Sequence, residues 1–75
     1  MQDNKKIREE IIGLITQKDI QDTEEYIRKI SRNELALALM DRGFDKENIE
    51  QQLAVLCEDG SFALDEQNLY QYEET

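Results

Sequence analysis

Apolar residues in the first part of the chain recur with the period of an α-helix. The residues concerned are Ile7, Ile11, Leu14 and Ile15. Their spacing of i, i+4, i+7 and i+8 puts them on one helical face, with Lys, Arg and Glu on the other. The pattern predicts a first helix over residues 5–17. Gly13 lies inside this helix, where glycine lowers helix stability by about 1 kcal/mol relative to alanine. Its presence therefore indicates either tight packing or an early end of the helix.

The next segment, residues 18–30, allows two interpretations. Asp22-Thr23-Glu24-Glu25 has the composition of a helix start with a reciprocal cap. Tyr26-Ile27-Arg28-Lys29-Ile30 is short enough to form an extended segment instead. We predict one short helix, and the extended alternative stays open at this point.

A second helix is predicted over residues 31–42 because both of its ends carry sequence signals. Ser31-Arg32-Asn33-Glu34 matches the capping box, in which the serine hydroxyl accepts a hydrogen bond from the Glu34 amide and the glutamate accepts one from the serine amide. The strong helix formers Leu35-Ala36-Leu37-Ala38-Leu39-Met40 follow. Gly43 then supplies the left-handed residue that ends a helix.

A third helix is predicted after Asp45, which suits the N-cap position, and before Gly60, which stops it. Its inward stripe is formed by Ile49, Leu53 and Leu56. Only two or three residues separate it from the second helix. This spacing is typical of a helix-turn-helix, in which a short turn holds two helices at a steep angle.

After Gly60 the apolar period changes from about 3.6 to 2. Phe62 and Leu64 form one short apolar run, and Leu69, Tyr70 and Tyr72 form another beyond the turn-forming residues 65–68. This arrangement predicts a β-hairpin. Because an isolated hairpin is marginal in water, we expect it to lie against the helices, with one of the two tyrosines packed and the other exposed.

In this order of elements, residues 31–72 resemble a winged helix-turn-helix domain. They are most similar to the C-terminal domain of MCM-type replicative helicases, where a similar run of G-x-D followed by I-x-x-x-L-x-x-L-x-x-x-G recurs. The resemblance implies a mainly α fold with a small β-hairpin, formed as a single domain over residues 1–75. It also implies a non-catalytic accessory or regulatory role in a DNA replication or transcription protein.

Charge is distributed unevenly along the chain, whose net charge is −9. Residues 1–33 hold seven basic and seven acidic side chains, whereas residues 34–75 hold two basic and eleven acidic ones. Winged helices that bind DNA usually carry Lys or Arg on the third helix and in the wing, but residues 45–59 contain only Lys46. Because phosphate contacts need cations, docking on DNA through this helix is disfavoured and a basic protein surface is the expected partner.

Two candidate surfaces and a third interpretation follow from this imbalance. The acidic, partner-binding candidates are Asp45, Glu47, Glu50, Asp65, Glu66, Tyr72, Glu73 and Glu74. The alternative nucleic-acid face comprises Lys5, Lys6, Arg8, Arg28, Lys29 and Arg32. A third possibility is an acidic DNA mimic that occupies the basic groove of another protein.

The sequence offers little for catalysis or cofactor binding. It has no histidine, a single cysteine, Cys57, and no glycine-rich phosphate-binding run, so we expect no enzyme activity, metal, cofactor or small-molecule substrate. No apolar run approaches the roughly 20 residues of a membrane span, and no signal-peptide pattern follows Met1. We therefore expect a soluble protein with no membrane partner, located in the reducing environment of the cytoplasm or nucleus.

Overall fold

The computed structural model describes residues 4–21, 23, 25–58 and 60–73. In chain order its elements are α1 (Asn4–Thr16), β1 (Arg28–Ser31), α2 (Arg32–Asp41), α3 (Lys46–Leu56), β2 (Phe62–Leu64) and β3 (Asn68–Gln71). The first, second and third predicted helices and the hairpin are present at nearly the predicted positions, whereas the short helix predicted within residues 18–30 is not. One further strand, β1, makes the architecture a mixed one of three helices and a small antiparallel sheet.

The sheet has the strand order β1-β3-β2, so β3 lies in the middle. Lys29 pairs with Tyr70 on one side of β3, and Ala63 pairs with Tyr70 on the other. Side chains alternate between the two faces of a strand. Leu69 and Gln71 therefore point inward, where both are fully buried, and Tyr70 points outward.

The short helix predicted within residues 18–30 is wrong. Asp22 and Glu24 lie outside the described residues. Among the described residues of this segment, the only regular element is the start of β1. Ile27 donates its amide hydrogen to the Gln71 carbonyl at 2.7 Å, and Arg28 aligns with Gln71 in the ladder. A single isolated helical turn is unstable because nucleation is costly, whereas pairing with β3 satisfies the same backbone groups.

Among the described residues, ten buried apolar side chains form the core, and they come from α1, α2, α3 and from each of the three strands. They are Ile7, Ile11, Ile15, Ile30, Leu35, Leu39, Ile49, Leu53, Phe62 and Leu69. The predicted stripes of the helices and the expected packing of the hairpin against them are thus confirmed, the latter through Phe62. Leu14, Leu56 and Leu64 pack against the core as half-buried residues. None of the described helices combines the length and apolarity needed to cross a bilayer.

The Ser31 half of the predicted capping box and the Gly43 end of α2 are confirmed, whereas the predicted bond from the Ser31 amide to the Glu34 carboxylate is not among the hydrogen bonds of the described residues. The Ser31 hydroxyl accepts a hydrogen bond from the Glu34 amide at 3.3 Å, whereas the Glu34 carboxylate pairs with Lys18 at 2.6 Å. At the other end Gly43 has a φ of +94°, and the amides of Gly43 and Phe44 donate to the carbonyls of Met40 and Leu39. This is a Schellman motif, which only a residue tolerant of positive φ can complete without strain.

Gly13 has neither of the roles that its sequence position suggested. α1 continues for three residues beyond it, to Thr16. A Cβ atom added at Gly13 would meet nothing within 4 Å outside its own helix. The glycine is therefore an ordinary helical residue that weakens α1 without any packing requirement.

Candidate functional site

The α2 and α3 helices are joined by the four residues 42–45, and α3 turns one face to the core and the other to solvent. Ile49, Gln52 and Leu53 are buried, whereas Glu47 and Gln51 are exposed. Asp45 occupies the N-cap position, as predicted, although its side chain makes no cap hydrogen bond. The outward face of α3 is the surface that a helix-turn-helix would present to its target.

A shallow cavity of about 350 Å³ lies where the start of α2, the start of α3 and the hairpin turn meet. We call it the charged groove, and its lining residues are Arg32, Asn33, Ala36, Lys46, Glu50 and Glu66. Arg32 donates to the Glu50 carboxylate at 2.5 Å, with both side chains partly exposed. This pairing removes Glu50 from the set of carboxylates that a partner could meet unopposed.

Asp65, a predicted partner contact, holds the hairpin turn together. Its Oδ1 atom accepts hydrogen bonds from the Gln67 and Asn68 amides at 2.8 and 2.6 Å, and its Oδ2 atom accepts one from the Tyr70 hydroxyl at 2.7 Å. The hydroxyl bond and then the two amides lower the pKa of Asp65 below its ordinary value of 3.8. The same bond to Asp65 raises the pKa of Tyr70 above 10.0. These hydrogen bonds explain why an aspartate stands at position 65 without a contact to a partner protein.

Tyr72 and Glu73 lie at the other end of β3 from the hairpin turn. The Tyr72 amide donates to the Ser61 carbonyl at 2.8 Å, and its side chain is 41% exposed. Tyr70 is half-buried and its ring lies 5.0 Å from that of Tyr26 on the outward face of the sheet. One tyrosine is thus packed and the other exposed, but Tyr70 is not among the residues packed against the core, so the expected tyrosine anchor between hairpin and helices is not found. Glu74 lies outside the described residues. The structure thus divides the predicted acidic set between two ends of the sheet.

Three arginines of the alternative nucleic-acid face are engaged inside the molecule. Arg8 donates to the Gln52 side chain at 2.6 Å, which ties α1 to α3. Arg28 donates to the Gln71 side chain at 2.9 Å and to the Lys18 carbonyl at 3.1 Å. Arg32 is held by Glu50 as described above.

The three lysines of that face are exposed but lie on two different elements, α1 and β1. Lys5 and Lys6 lie in the first turn of α1, and Lys29 lies on the outward face of β1. The six predicted cations therefore do not act together as one exposed stripe.

Two exposed apolar side chains on α2 were not anticipated from the sequence. Leu37 is 60% exposed and Met40 is 47% exposed, whereas Leu35 and Leu39 in the same run are fully buried. The helical period of residues 35–40 could have predicted this exposure. Once Leu35 and Leu39 are assigned to the core, Leu37 and Met40 must fall on the opposite side of a helix.

Within the part of the chain that the structure describes, no group of three or more Cys, Asp or Glu residues gathers as metal ligands would. Comparison of the chain with models of protein families, with curated proteins and with solved structures found no match.

Proposed function

We propose that this chain is a winged-helix interaction module, without catalytic activity, that binds a basic surface of a protein partner. The order α1-β1-α2-α3-β2-β3, with β1 paired to β3 and four residues between α2 and α3, supports a winged helix-turn-helix. In keeping with the resemblance to helicase C-terminal domains, the module would serve a DNA replication or transcription protein as an accessory part.

The observation that carries the proposal is the charge of the outward α3 face. Asp45 and Glu47 are exposed at the start of α3, Lys46 beside them is exposed and is the single basic residue of the helix, and Glu58 is exposed just beyond the helix end. Within a screening length of about 8 Å, such a surface repels phosphates and attracts lysine and arginine side chains. DNA binding is less well supported, since Arg8, Arg28 and Arg32 already have intramolecular partners.

Affinity capture from the source cell, with and without nuclease, tests the class of partner. We expect a protein to be retained in both arms, and its retention should weaken as ionic strength rises because the contact is electrostatic. Loss of the captured protein on nuclease treatment would instead indicate a nucleic-acid target. Competition between duplex DNA and this chain for the captured protein would indicate a DNA mimic.

A pair of charge-reversal variants tests the surface. Glu47→Lys with Glu66→Lys reverses two exposed carboxylates, one on α3 and one in the hairpin turn. Asp19→Lys with Glu25→Lys makes the same change in net charge within the segment between α1 and β1. The first variant should lose the partner and the second should retain it. Equal retention by both would refute the proposed surface.

A further inference from the structure

We infer that the exposed apolar pair on α2, Leu37 and Met40, together with the adjoining charged groove, binds an amphipathic basic helix of the partner protein. The inference rests on the proposed function and specifies the form of its partner. Exposed apolar residues that occur singly need no explanation, whereas Leu37 and Met40 lie three residues apart on one helix and so form a single apolar patch.

The pair continues the wall of the charged groove. Asn33 and Ala36 line the groove, Leu37 lies four residues after Asn33, and Met40 lies four residues after Ala36. Residues four apart stack on the same helical face. The surface therefore runs from the start of α2 to its last turn as one row, polar at one end and apolar at the other.

The charges around this row favour a cationic partner. Asp41, next to Met40 in the chain, is exposed, Glu47 is exposed in the first turn of α3, and Glu66 lines the groove. Of the two cations that line the groove, Arg32 is already paired with Glu50 and Lys46 is exposed, so exposed carboxylates outnumber exposed cations around the row. A helix with an apolar stripe at i, i+3 or i+4 and with Lys or Arg on its flanks would cover the pair and meet the carboxylates.

A second copy of this chain fits the surface less well. A two-fold contact between copies would bring the same patch of each, with its exposed Asp41, against that of the other, and each copy carries a net charge of −9. Duplex DNA fits less well too, because an apolar pair neutralises no phosphate.

Two synthetic peptides of identical composition provide the test. The first has about 18 residues with leucines on one face and lysines on the other, and the second has the same residues in an order that destroys the apolar face. Titration into the ¹⁵N-labelled protein should shift the amide signals of residues 36–41 and 46–50 with the first peptide. We expect it to bind at least tenfold more tightly than the second.

A matched pair of variants assigns the effect to α2. Leu37→Gln with Met40→Gln should lower the affinity for the first peptide at least tenfold, because glutamine preserves helix propensity and net charge while removing apolar surface. Ile20, 65% exposed in the segment after α1, is the control, and Ile20→Gln should leave the affinity unchanged. Far-ultraviolet circular dichroism of each variant checks that the helices are intact.

The outcomes separate this inference from the proposed function. Equal binding of both peptides, with no effect of the α2 variant, overturns the inference while leaving an electrostatic α3 surface in place. Loss of binding in the α2 variant, with no effect of Glu47→Lys and Glu66→Lys, overturns the electrostatic surface. A concentration-dependent dimer that dissociates in the α2 variant would assign the surface to a second copy and refute the inference.

Discussion

Substitution of Gly13 by alanine should stabilise the protein. The position lies inside α1, where its φ is helical rather than positive, and an added Cβ atom would meet nothing within 4 Å outside the helix. Alanine then gains in two ways. It restricts the unfolded chain, and it shields helical backbone that glycine leaves open to water.

The expected gain is about 0.5–1 kcal/mol in the free energy of unfolding. For a domain of this size, about 1 kcal/mol corresponds to a Tm change of roughly 4–8 °C, so we expect the Tm to rise by roughly 2–8 °C. A small domain has only a few kcal/mol of stability in total. The gain would therefore be useful as a background for comparing surface variants.

Thermal unfolding followed by circular dichroism, with urea titration for the free energy, measures the effect. Gly43→Ala is the matched control, since the same substitution at a φ of +94° should cost about 1–2 kcal/mol. A fall in Tm for Gly13→Ala would mean that the backbone at this position is not helical or that the added methyl is not accommodated. Equal effects of the two substitutions would refute the conformational argument as a whole.

Three further predictions concern the sheet. Asp65→Asn should weaken the hairpin at neutral pH, which faster amide hydrogen exchange would show. It should also make the stability less sensitive to acid. Because the pKa of Asp65 is lowered by folding, its carboxylate contributes stability above pH 3.8 and loses that contribution as the pH falls through the pKa of the folded state. In an ultraviolet titration Tyr70 should ionise with a midpoint above pH 10.0, and Asp65→Asn should lower that midpoint. Because the pKa of Tyr70 is raised by folding, its protonated hydroxyl contributes stability below pH 10.0 and loses that contribution as the pH rises through the pKa of the folded state. Gln71→Leu should raise the free energy of unfolding by about 1 kcal/mol, measured by urea titration, because the buried Nε2 atom of Gln71 has no hydrogen-bond partner among the described residues. The substitution also removes the acceptor of one Arg28 hydrogen bond, but Arg28 is half-exposed and can bind water instead.

Features that depend on near neighbours could be predicted from the sequence. The Ser31 cap and the Gly43 terminus use hydrogen bonds between residues three to five positions apart, so the residue types that make them stand together in the sequence. The hairpin turn at Asp65 is of the same kind. The apolar period of α1 and α3 located their buried faces for the same reason.

The strand β1 could be given only as an open alternative to a short helix, because its stabilising partner is distant. Residues 28–31 pair with residues 68–71, about forty positions later, and nothing in the local sequence distinguishes this strand from a helical turn. Ile30 is the one buried side chain of the strand. One apolar residue among four is too short a pattern to show a period of 2.

The candidate surfaces could be predicted only as sets of charges. A count weighs Arg32 and Lys29 equally, yet the first is paired with Glu50 and the second is exposed. The count also treats Asp65 as available when its carboxylate accepts three hydrogen bonds. Which charges are free for a partner depends on tertiary contacts, and so does the exposure of Leu37 and Met40.

The central position of β3 has a consequence for synthesis. The two outer strands β1 and β2 each pair with β3, the last of the described elements. On the ribosome the three helices can form as their residues emerge, but both outer strands keep open edges until residue 71 has left the exit tunnel. The nascent chain therefore completes its sheet in one late step, and a chain that has emerged from the tunnel only as far as β2 would be a helical intermediate with exposed strand edges.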